Sequence, residues 1–93
     1  MIQTLVLVAA LSNLTAVEGR VVQLSVVSVS IVNSTSGKVV PFHLEPYFAD
    51  VFNAGGKTEI PISRVRIGSI VKVFFNNRFN GTRRAERIEL LRQ

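Results

Sequence analysis

No cysteine occurs anywhere in the chain. That excludes a disulfide framework, a thiolate metal site and a cysteine nucleophile. A single histidine, His43, excludes a metal site built on two histidines of one chain. The longest apolar run, residues 5–11, is seven residues, against the roughly 18 needed to cross a bilayer, so no transmembrane span is expected. Acidic residues are few, six against eight Arg and three Lys. The net charge of +5 favours anionic partners and says nothing about fold. Nucleotide and hydrolase signatures are missing too: there is no Walker A, no G-x-G-x-x-G and no G-x-S-x-G.

What is present is valine. Fifteen Val stand against one Met and no Trp, with Ser and Thr scattered among them, which is the composition of a β protein. Ninety-three residues, 47% of them apolar, make one ordered domain without room for a second core. Val22, Leu24 and Val26 alternate with polar residues, and so do Val27, Val29 and Ile31. The phase slips between Val26 and Val27, so the chain must bulge or turn there. Residues 33–38, NSTSGK, read as a hairpin turn, and Pro41 places part of the return strand at an edge or bulge. Tyr47, Phe48, Val51 and Phe52 fall on one helical face after Pro46, predicting a small helical plug over 46–52. Gly68-Ser69 and the segment 76–81, NNRFNG, are further turns. The expected core is Val22, Leu24, Val29, Ile31, Phe42, Leu44, Phe48, Phe52, Val71, Val73, Ile88 and Leu90, with Ala85 joining only if the last strand bends. Such short apolar strands, with turns every 8–12 residues, predict an all-β, five- to six-stranded OB-like small barrel over 17–93, because closure removes exposed edges. A two-sheet sandwich is the runner-up.

The apolar segment 1–16 admits three readings: a buried strand of the domain, an element that packs on a neighbouring subunit, or a targeting remnant. As a docking element it would present Leu5, Leu7, Ala9 and Leu11 to the partner. The sequons at Asn13, Asn33 and Asn80 matter only in a glycosylating secretory pathway; otherwise such residues populate turns. The acids form no obvious general acid–base pair, and neither a catalytic residue nor a cofactor is expected. The chemically suggestive patch is cationic and aromatic: Lys72, Phe74, Arg78, Phe79, Arg83, Arg84 and Arg87, with Arg64 and Arg66 close in sequence. Cations that track phosphates and rings that stack on bases are how OB barrels hold single strands. The same Arg could instead pair with Glu86 or Glu89.

The order EGRVVQL, SVSIVNSTSGKVVPFHL, VFNAGGKTEI, RIGSIVKVFF and FNGTRRAERIELL over residues 17–91 resembles a family of bacterial OB-like domains of uncharacterised role. Its members read G-x-V, a Val-rich hairpin, N-G-G-K, G-x-x-V-x-V and G-T-x-x-A-x-x-I-x-L. The resemblance implies a non-enzymatic module, found in exported proteins and sometimes in tandem, hence an extracytoplasmic location. A looser resemblance, to bacterial single-stranded DNA-binding proteins, makes IQTLVLVAAL a first strand and implies a cytoplasmic nucleic-acid binder. The expected function is thus a structural module that self-associates into a homo-oligomer or filament through its N-terminal segment, with single-stranded nucleic-acid binding as the alternative.

Overall fold

The computed structural model describes residues 14–76 and 83–93. Among these the Val-rich alternation forms six strands: β1 (Thr15–Leu24), β2 (Ser28–Asn33), β3 (Val39–His43), β4 (Val51–Asn53), β5 (Ile70–Phe75) and β6 (Arg83–Arg92). β1 pairs antiparallel with β5 through its first half and with β2 through its second. β2 pairs with β3, and β5 with β6, also antiparallel. Phe42 and His43 then lie parallel to Arg83 and Arg84, joining β3 to β6. The ring β1–β2–β3–β6–β5 closes, so the fold is a small all-β barrel, as expected. β4 sits on β6 further along, with Val51 opposite Ile88.

Two bulges set which residues face inward. In β1 the register slips between Val21 and Gln23, leaving Val22 as the extra residue. Val22, expected in the core, is 41% exposed, and Val21 takes its place. The inward phase then resumes at Leu24, which packs against the core from its margin. In β6, Arg87 lies opposite Phe74 but Ala85 opposite Phe75. This irregularity lets Ala85 join Ile88 and Leu90 inside, which is the bend that the sequence requires. The remaining centre is Val29, Ile31, Phe42, Leu44, Val51, Val71, Val73 and Phe75. The Phe42 and Phe75 rings meet at 5.2 Å between centroids, within the range of a favourable tilted pair.

The helical plug over 46–52 is not formed. Pro46 and Tyr47 make a turn, 51–53 is strand, and the only helical turn among the described residues is a 3-10 turn at Ile62–Arg64. Seven residues gain little from a costly helix nucleus. An extended segment instead satisfies its backbone on both sides: the Ile88 amide donates to the Asp50 carbonyl at 2.9 Å and the Ile60 amide to that of Val51 at 2.9 Å. Phe48 consequently only flanks the core. Phe52 is half-buried, and its neighbour Val51 takes the core position.

The 33–38 hairpin forms as expected. Asn33 Oδ1 accepts from the amides of Thr35 and Ser36 at 2.8 and 3.3 Å, so this sequon asparagine builds its turn. Asn13 and Asn80 lie outside the described residues. No helix among the described residues is long and apolar enough to cross a membrane.

Candidate functional site

The cationic patch is the first candidate, and register decides its character. On the outer face of the wall, Lys72 lies opposite both Glu18 and Glu89, so charge alternates in sign across three strands. The Lys72 ammonium sits 5.4 Å from the Phe74 ring centroid on its own strand. Arg84 donates from Nη1 to Glu45 Oε1 at 2.6 Å, and its Nε lies 4.0 Å from Glu86 Oε1. Arg83 rests 5.4 Å from the Phe75 centroid.

Arg87 is the most firmly held. Its guanidinium carbon lies 3.8 Å from the Phe52 ring centroid, its Nη2 donates to the Gly56 carbonyl at 2.7 Å, and its Nε lies 3.6 Å from Glu89 Oε2. Gly56 has φ +72°, and a Cβ there would meet the Glu89 carboxylate at 2.7 Å and run into the Arg87 guanidinium. Glycine therefore leaves the space through which Arg87 ties the β4 turn to β6. The pairing of Arg with Glu86 and Glu89, open from the sequence, is what forms. Lys72, Phe74, Arg83, Arg84 and Arg87 do share the β5–β6 region. Arg64 and Arg66 are exposed, Arg64 within the 3-10 turn and Arg66 just after it. Arg78 and Phe79 lie outside the described residues, as do Leu5, Leu7, Ala9 and Leu11.

The second candidate is apolar and was not evident in the sequence. A groove of about 610 Å³ opens at the Leu24 end of β1. Among the described residues it is lined by Leu24, Val26 and Val27 of the β1–β2 turn, by Pro46, Tyr47 and Phe48, and by Ile62 and Val65 about the 3-10 turn, together with Ser25 and Ser63. A second hollow of about 480 Å³ shares Phe48 and Ile62 with it and takes in Ile60 and Pro61.

Local chemistry explains why the lining is uncovered. The serines meet the turn's polar needs: the Ser25 amide donates to the Ser28 carbonyl at 2.9 Å, and Ser25 Oγ accepts from the Val27 amide at 3.3 Å. Two valines are left at the tip, where Gly, Asn or Asp would be usual. Val26 is 87% exposed and Val27 51%. Tyr47 holds φ +59°, a left-handed conformation uncommon for a bulky residue, and is 99% exposed. The signal available in the sequence was SVVS at the phase slip: an apolar pair where the chain had to turn.

Comparison with protein-family models, with curated proteins and with solved structures finds no match.

Proposed function

We propose that this protein is a non-enzymatic assembly module, an OB-like barrel that self-associates through its apolar N-terminal segment. The observation that carries the reading is the uncovered apolar end of the barrel formed by Val26, Val27, Tyr47 and Phe48. Contiguous apolar surface rimmed by polar residues marks interaction sites on soluble proteins. The fold supports it as well: Val21, Phe42, Val73 and Ile88 are buried and a ring of five strands closes among the described residues, which favours assigning the segment 1–13 to a partner. Resemblance to OB-like domains of exported proteins accords with this role and with an extracytoplasmic setting.

The alternative, single-stranded nucleic-acid binding on β5 and β6, has less support. Arg84 and Arg87 are engaged with Glu45, Glu89 and the Gly56 carbonyl, and Lys72 is bracketed by acids in register. Light scattering behind size exclusion tests the proposal. The full chain should gain mass as concentration rises, and a Leu5→Asp, Leu7→Asp, Leu11→Asp chain should stay monomeric. A full chain of monomer mass throughout would refute it.

A further inference from the structure

We infer that the groove between the β1–β2 turn, Tyr47 and the 3-10 turn is the acceptor for residues 5–11 of a second copy, giving head-to-tail assembly. The inference rests on the self-association reading and adds the receiving site and its polarity. Its first ground is position. β1 has ten residues, Thr15–Leu24, and strands rise about 3.3 Å per residue, so its two ends lie roughly 25–30 Å apart. The groove is at the Leu24 end, whereas residues 5–11 join the barrel at the Thr15 end. Leu11 is four residues from Thr15 and spans at most about 14 Å from it. At that reach only the first residues of the run, Leu5 to Leu7, could span the roughly 25–30 Å to the groove of their own barrel, and the rest of the run could not follow them. A second copy has no such constraint.

The second ground is chemistry. Residues 5–11 contain no charged side chain, so burying that run desolvates no ion. The groove matches, since no charged residue is among the described residues that line it. The third ground is symmetry. A donor at one pole and an acceptor at the other are different surfaces, so the contact is heterologous and yields rings or open chains rather than a closed pair.

Complementation of two full-length variants tests this by sedimentation velocity, with far-UV circular dichroism to verify folding. The donor-blocked chain carries Leu7→Asp and Leu11→Asp. The acceptor-blocked chain carries Val26→Asp and Tyr47→Asp, both at highly exposed positions. Val27→Asp serves as the second acceptor variant should that pair misfold. Each variant alone should sediment as a monomer, and an equimolar mixture should form a 1:1 heterodimer that grows no further, while the unsubstituted chain passes beyond dimer. Undiminished self-association of the acceptor-blocked chain overturns the groove assignment and leaves the assembly reading standing. Two monomeric variants that fail to combine overturn the head-to-tail polarity. An unsubstituted chain that is itself monomeric overturns the assembly reading and this inference together.

Discussion

Gly19→Ala sets two effects against each other, and the structure decides between them. In an extended segment, alanine restricts the unfolded chain and is worth about 0.4–1 kcal/mol to the folded state if the site accepts a methyl group. Gly19 does not accept one. It is buried where β1 passes from β5 to β2, opposite Val71 on one side and Asn33 on the other. A Cβ there would run into the Val32 carbonyl oxygen and lie 2.7 Å from the carbonyl carbon. The obstacle is backbone, held by the β1–β2 ladder and by the Ser34 amide donating to the Glu18 carbonyl at 2.9 Å. It cannot rotate aside, so the strands must splay. Overpacking of this kind costs about 1–3 kcal/mol, and weakened ladder bonds add to it. The net expectation is a loss of about 2 kcal/mol from a total of about 5–15, or a drop in Tm of roughly 8–16 °C. Urea and thermal unfolding followed by far-UV circular dichroism measure it. Gly37→Ala is the control: it has φ +74° with nothing within 4 Å of the added Cβ, so it carries only backbone strain of about 1–2 kcal/mol. A Gly19→Ala chain as stable as the parent would refute the close approach of β1 and β2.

Phe42→Ala removes a fully buried ring and its contact with Phe75; urea unfolding should give a loss of about 3–5 kcal/mol, and a loss below about 1 kcal/mol would contradict the core as described. Arg87→Ala frees the Gly56 carbonyl and uncovers Phe52. It should cost about 1–2 kcal/mol and speed amide exchange in residues 53–58 more than in the 33–38 hairpin; uniform acceleration would contradict a local tie. Titration of a labelled oligonucleotide at low salt should give no binding attributable to the β5–β6 wall. Binding that falls steeply with salt and weakens by about 1–3 kcal/mol in Phe74→Ala would favour the nucleic-acid reading instead.

The elements legible in the sequence are those fixed by local chemistry. The slip at Val26 and Val27 marked the β1–β2 turn, NSTSGK marked the hairpin, and the spacing of Ala85 from Ile88 demanded the irregularity found in β6. The bulge at Val22 carries no Gly or Pro to announce it, so alternation alone assigned Val22 inward. Over 46–52 the apolar spacing fits a helix, but it equally fits a turn followed by a strand. Parallel pairing of β4 with β6, across more than thirty residues of sequence, selects the strand, and no local signal reports it. The groove was hidden for the same reason. Val26, Tyr47 and Ile62 come from three separate turns that only barrel closure brings together. The cationic patch was visible as a run of residue types, but its pairing with acids depended on register.

The chain has one tyrosine and no tryptophan, so its aromatic emission reports on Tyr47 at the mouth of the groove. The most direct test of groove-mediated assembly is acrylamide quenching of that emission across a concentration series. At low concentration Tyr47, 99% exposed, should quench like a free tyrosine derivative. As mass increases the quenching constant should fall several-fold, because a partner's N-terminal segment covers the ring. A Tyr47 that stays fully quenchable while the protein assembles, or a protein that never assembles, would contradict the account.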